Sequence, residues 1–216
     1  MTIEIQMLTM GIAVTNCYII GDTATNAALV IDPVDQAPRI VQAAQDKGWT
    51  IKLILATHAH FDHVLASKEL KDATGAPFYA HEDCKPWLDM LPDQGLRFIG
   101  QRFPEAAAVD RWLTSAQETL TLDSITLETL YTPGHAPGHI SYWMPAQRIV
   151  FSGDALFQGS IGRTDLPGGD HATLMRSIFD MLVPLGDDAI VLSGHGGRTT
   201  IGHERKTNPF LLDWQS

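Results

Sequence analysis

Apolar and polar positions along the chain sort into two alternating kinds of segment. Short β-branched or leucine-rich runs have strand length: IKLILAT (Ile51–Thr57), LETLYTPGH (Leu127–His135), RIVFSGD (Arg148–Asp154) and AIVLSGH (Ala189–His195). Between them lie stretches with helical periodicity. One helix is predicted over Pro38–Lys47, with Ile40, Val41 and Ala44 on one face and Gly48 as its stop. A second is predicted over about Val64–Ala73, ending near Gly75. A third spans His171–Leu182, with Asp170 as N-cap and Leu174, Met175, Ile178, Phe179 and Leu182 as its buried stripe. The segment Glu82–Ala108, interrupted by Pro86, Pro92, Gly95, Gly100 and Pro104, is the least regular. It reads as surface in preference to an excursion beside a site.

Size and composition narrow this picture. Alternating strand and helix patterns over 216 residues, without an internal repeat or a low-complexity linker, describe one α/β domain covering 1–216. Hydrophobic content of 44% and charged content of 19% are globular values. The start, MTIEIQMLTM, has no basic region ahead of a long apolar core, so no signal peptide is expected. No apolar run approaches the ~20 residues needed to cross a bilayer, so no membrane partner is expected. Cys17 and Cys84 lie far apart without a Cys-x-x-Cys pattern, which indicates neither a disulfide framework nor a redox motif and points to a reducing, cytoplasmic setting. A net charge of −10 argues against nucleic acid, whose phosphates demand a basic surface. Nothing in the chain indicates an oligomeric state.

The strand ends carry the candidate chemistry. Directly after IKLILAT comes HAHFDH (His58–His63). His58 and His60 are two apart, so they leave an extended backbone on one side and can converge on one ion. Asp62 and His63 follow where the chain turns and can face a neighbouring ion. Neutral imidazole and carboxylate suit a borderline divalent cation such as zinc. The other three runs each pass through a glycine, where backbone can bend and approach an ion closely, to His135, Asp154 or His195. His58, His60 and His135 make an all-imidazole set. Asp62, His63 and His195 make a second. Asp154 remains over, and a carboxylate has two oxygens with which to bridge two cations. The chain is therefore expected to hold two divalent ions, zinc first, with iron or manganese as alternatives. His139, four residues after His135, is compatible with supporting a ligand or with a satisfied place in the core. His81, His171 and His203 are read as surface or capping residues.

The motif HAHFDH with His135, Asp154 and His195 downstream resembles the metallo-β-lactamase superfamily, and within it the glyoxalase II-like hydrolases (hydroxyacylglutathione hydrolase type). The resemblance extends over TPGHAPGH (Thr132–His139), FSGDALF (Phe151–Phe157) and GRTD (Gly162–Asp165). The tail TIGHERKTNPF (Thr200–Phe210) is similar to the ending of short bacterial members. It implies an α/β fold of the αββα sandwich type, two mixed β-sheets flanked by helices, with metals at the open edge between the sheets. It also implies hydrolysis by a metal-bridging hydroxide, with Asp62 both a ligand and the residue that orients the hydroxide. The substrate implied is a small thioester or ester such as S-lactoylglutathione, whose thiolate leaves without a separate general acid.

Recognition of the rest of the substrate is less fully specified. Longer glyoxalase II enzymes bind glutathione partly through a C-terminal helical extension, for which this chain leaves no room after Asn208-Pro209. Arg163 occupies the place of a basic residue that contacts glutathione in those enzymes, while the aromatic two residues later is replaced by Asp165. Arg163 therefore either anchors an anionic part of the substrate or pairs with Asp165 or Asp170. GRTD also resembles the persulfide dioxygenases, which would hold a single iron through His58, His135 and Asp154. The tail favours the hydrolase.

Overall fold

The computed structural model describes residues 3–215. The first sheet follows chain order: β1 (Ile3–Met10), β2 (Thr15–Asp22), β3 (Ala27–Ile31), β4 (Thr50–Leu55), β5 (Phe78–His81) and β6 (Arg111–Leu113). Strands β1 to β3 pair antiparallel and β3 to β6 run parallel. The second half contributes β7 (Thr119–Leu122), β8 (Ile125–Tyr131), β9 (Ile140–Met144) and β10 (Ile149–Gly153). It continues with a small hairpin of β11 (Leu156–Phe157) and β12 (Ser160–Ile161), then β13 (Ile190–Ser193) and β14 (Thr199–Thr200). These form a sheet in the order β14-β13-β10-β9-β8-β7, antiparallel except where β10 runs alongside β13.

Period-two alternation packs the two sheets face to face. Tyr18, Ile20, Leu29, Ile31, Leu53 and Leu55 turn inward to meet Leu127, Ile140, Tyr142 and Phe151. The intervening residues Ile19, Val30 and Ile54 face the helices α1 (Ala37–Asp46) and α3 (Ser67–Thr74) through Ile40, Ala44 and Leu70. On the far side, Val150 and Val191 meet Leu174, Met175, Ile178 and Leu182. The result is the αββα sandwich that the resemblance implied. A fully buried Leu, Ile or Phe contributes about 1.5–3 kcal/mol, so these layers carry the stability and leave one edge free for crowded polar side chains.

The helices follow the sequence pattern with instructive departures. α1 starts one residue early and stops at Gly48, whose φ is +73°. The predicted helix over Val64–Ala73 is two pieces, α2 (Phe61–Val64) and α3, because the Ala66 amide turns away to bond the Pro33 carbonyl at 3.0 Å. α6 (His171–Ser177) is capped by Asp170, which accepts from the Thr173 amide at 2.7 Å, and it continues through a wider π-type turn over Ile178–Leu182. The largest correction concerns Glu82–Ala108. It is not merely surface: it folds into α4 (Lys85–Asp89) and α5 (Leu91–Ile99), each with a proline in its first turn, and Leu91 is fully buried. The C-terminal tail forms α7 (Ile201–Thr207) and α8 (Pro209–Gln215). Among the described residues no helix is long and apolar enough to cross a membrane.

Candidate metal centre

Parallel pairing brings the carboxyl ends of β3 and β4, and of β10 and β13, to one edge of the sandwich. Hydrogen bonds stitch the two sheets together there. Tyr142 donates through its hydroxyl to the Ala56 carbonyl at 2.8 Å, and the Ile140 amide donates to the Thr57 carbonyl at 2.8 Å. Asn16 and Tyr18 both donate to the Ser193 carbonyl, at 2.9 and 2.7 Å. The loops leaving this edge carry all seven candidate ligands.

His58, His60 and His135 converge. Nδ1 of His60 lies 3.1 Å from Nε2 of His58 and 2.9 Å from Nε2 of His135. Asp62, His63 and His195 form the second group, with Oδ2 of Asp62 3.5 Å from Nε2 of His63 and 3.3 Å from Nε2 of His195. Within each group the donor atoms lie within 4.8 Å of one another, as they do for His58, His63 and Asp154. Asp154 stands between the groups. Its Oδ2 is 3.5 Å from Nε2 of His135 and 3.4 Å from Nε2 of His195, and its Oδ1 is 3.4 Å from Nε2 of His63.

The ring orientations are fixed from behind. Asp32, at the end of β3, accepts from Nδ1 of His63 at 2.8 Å, so Nε2 is the nitrogen turned to the centre. Asp32 also accepts from the amide and hydroxyl of Thr57, at 2.7 and 2.8 Å. That hydroxyl oxygen in turn receives Nδ1 of His58 at 3.0 Å. Nδ1 of His135 donates to the Arg163 carbonyl at 2.8 Å, and Thr15 donates to Oδ2 of Asp62 at 2.8 Å. His139 proves to be both buried and supportive: its Nε2 accepts the Asp154 amide at 3.0 Å while Nδ1 meets the Thr132 hydroxyl at 2.8 Å. Glycine is required where backbone enters the cluster. A Cβ on Gly194 would collide with Oδ1 of Asp154, and one on Gly153, whose φ is +49°, would meet Nε2 of His139 at 2.7 Å.

The electrostatics favour a cation. Burial, reinforced by neighbouring imidazoles, pushes His58 well below its ordinary value and His60 down to about 3; burial also lowers His135. These rings are neutral, with lone pairs available. Burial by itself would hold the acids protonated, yet His63 and His195 together outweigh it, keeping Asp154 well below the carboxylate range and Asp62, with help from Thr15, at about 2. The same attraction, against burial, lifts His63 well above its ordinary value and His195 to about 10, the latter mainly through Asp154 and then Asp62. Nε2 of His63 and Oδ1 of Asp154 are buried without a hydrogen bond. Such atoms are costly to bury unpaired, and a cation between them satisfies both. The donor set therefore fits divalent metal.

The other sequence candidates separate clearly. Arg163 lines the cleft, but its guanidinium forms a bidentate pair with Asp165, at 2.7 and 2.6 Å. His171 and His203 are exposed. His81 is not on the surface: it is buried, stacks on Tyr131 and caps the turn over Glu82–Cys84 by accepting the Asp83 amide. Two side chains that support the candidate ligands escape the histidine-centred pattern. Asp32 ends the apolar run Ala27–Ile31, the same signal that marked Asp154. Gln94 on α5 left no readable signal; it accepts the Phe61 amide at 3.1 Å and donates to the carbonyls of Ala59 and Trp87, at 3.2 and 3.0 Å.

A family model described as the metallo-beta-lactamase superfamily matches residues 10–195. The hydroxyacylglutathione hydrolase GloC of Haemophilus influenzae is 44% identical over 197 residues, covering 91% of this chain and 92% of that protein. Among solved structures, the B3 metallo-beta-lactamase BLEG-1 superposes with a TM-score of 0.90 at 39% identity, covering 96% of this chain and 99% of that one. TTHA1623 in a di-iron-bound form superposes with a TM-score of 0.85 at 36% identity, covering 95% of this chain and all of that one (100%).

Proposed function

The chain belongs to the metallo-beta-lactamase superfamily and is a metallo-hydrolase of that family, and from that premise we propose that it hydrolyses a small thioester at a dinuclear metal site. The observation that carries this reading is Asp154, whose two oxygens reach histidines of both donor groups. His58, His60 and His135 would hold one ion and Asp62, His63 and His195 the other, with Asp154 shared. The His and Asp donors suit zinc first, with iron or manganese as alternatives. Two ions bound there supply an acidified water and a Lewis acid for the carbonyl oxygen.

The chain's own residues do the rest. Asp62, largely buried but lining the cleft and held by Thr15, accepts a hydrogen bond from the attacking water and aims it. The water oxygen forms the new C–O bond, the C–S bond breaks, and its electron pair departs on sulfur. One water is consumed, and a carboxylate, a thiol and a proton are released. A thiolate is a stable leaving group, so no separate acid is needed. Arg163 anchors an anionic thiol arm such as glutathione. Its pair with Asp165 is exposed and screened by solvent, and pairs of that kind contribute little, so a substrate carboxylate can replace Asp165.

The test is direct assay of the metal-loaded protein on S-lactoylglutathione, with a chromogenic cephalosporin alongside. Thioester hydrolysis that is lost on chelation and restored by added metal is expected. Full metal occupancy with no thioester turnover, or turnover of the β-lactam alone, would overturn the proposal.

A further inference from the structure

Beside the metal cleft lies a second cavity, of about 220 Å³, walled by Trp87, Met90, Leu166 and Pro167. It is continuous with the cleft, because His60 and Leu166 line both. Its walls are apolar for a structural reason. Gln94 also faces it, but both ends of the Gln94 amide are committed to Phe61, Ala59 and Trp87, so it offers a ligand no free hydrogen-bonding group. The charged residues Asp93 and Arg97 stand exposed at its margin. An apolar cavity of roughly 150 Å³ takes a benzene ring, so this one has room for an arm of about that size or slightly larger. A lactoyl group, with three carbons and a hydroxyl, would leave most of it unfilled.

We propose that this cavity receives the acyl arm of the substrate, so that the preferred thioesters carry an apolar acyl chain or a phenyl-sized ring. The inference rests on the thioester reading above. Arg163 lines the cleft and not the cavity, so an anionic thiol arm and an apolar acyl arm diverge from the scissile bond in different directions. The enclosing helices α4 and α5 come from the segment whose prolines and glycines hid it in the sequence.

Two measurements on the metal-loaded enzyme test this and keep the two proposals apart. The first is kcat/KM for the acetyl, lactoyl, butanoyl, hexanoyl and phenylacetyl thioesters of glutathione. Each buried methylene is expected to raise it by roughly threefold to fourfold, with lactoyl near the bottom of the series. Met90→Trp, which fills the cavity, flattens the series, and Leu166→Trp provides an independent filling should the first variant fold poorly. The second is calorimetric binding of two non-hydrolysable thioethers, S-hexylglutathione and S-methylglutathione. The hexyl compound is expected to bind at least tenfold more tightly, and the filling variants to erase that preference. A flat kinetic series with equal thioether binding overturns the cavity assignment while leaving thioester hydrolysis standing. No turnover of any thioester, with the hexyl preference intact and lost in Met90→Trp, overturns the hydrolysis reading and supports the cavity.

Discussion

The site is decided by a few side chains, and their contributions can be separated by substitutions that keep shape. Asp62→Asn removes charge and acceptor strength while leaving volume unchanged. If Asp62 orients the attacking water, turnover falls by about 10²-fold or more, with a smaller change in substrate binding; near-normal turnover at full metal occupancy would exclude that role. Asp32→Asn probes the support beneath the ligands. Asp32 holds the ring of His63 and, through Thr57, that of His58. Loss of a carboxylate that orients a metal-binding histidine typically lowers metal affinity by about 10–100-fold. Competition with a chromogenic chelator is expected to show a loss of that size in a protein that remains folded by circular dichroism. Unchanged affinity would mean that packing alone orients the rings.

Elements differ in how openly their sequence announces them. The strands that end at His58, His135, Asp154 and His195 were legible because an apolar run, a turn and a ligand-type residue fall within a few positions. The end of β3 carries the same mark at Asp32, but a lone carboxylate before Pro33 signals little until folding sets it against Thr57 and His63, 25 and 31 residues away. α4 and α5 were illegible for a different reason. Their prolines sit in the first turn, where the missing amide costs nothing, and Gly95 interrupts the helical pattern where it packs on Phe103. Yet Gln94 makes α5 the buttress of the loop that carries the candidate ligands His58–His63. Gln94→Ala removes the hydrogen bonds to the Phe61 amide and to the Ala59 and Trp87 carbonyls, at about 1–3 kcal/mol for a carbonyl that stays buried and unsatisfied. Chemical denaturation is expected to show a loss in that range, together with weaker metal retention. A stability loss without any change in metal retention would make the contact purely structural.

At the scale of the whole molecule, the apolar layers and the polar edge divide the work. Among the described residues, three buried clusters, one between the sheets and one beneath each helical layer, form the apolar interior of the sandwich. The edge can then concentrate histidines and carboxylates in an arrangement that is unfavourable without a cation. A net charge of −10 is not evenly balanced against this edge: two divalent ions would add four positive charges at one point and draw anionic substrates to the cleft.

The proposed dinuclear centre depends on Asp154 being shared by two ions in one chain. Metal analysis of protein purified anaerobically tests it most directly. Close to two ions per chain are expected, and Asp154→Ala is expected to lower that count and abolish hydrolysis. One tightly held iron per chain, with oxygen consumed when glutathione persulfide is added, would contradict the account and identify a mononuclear dioxygenase instead.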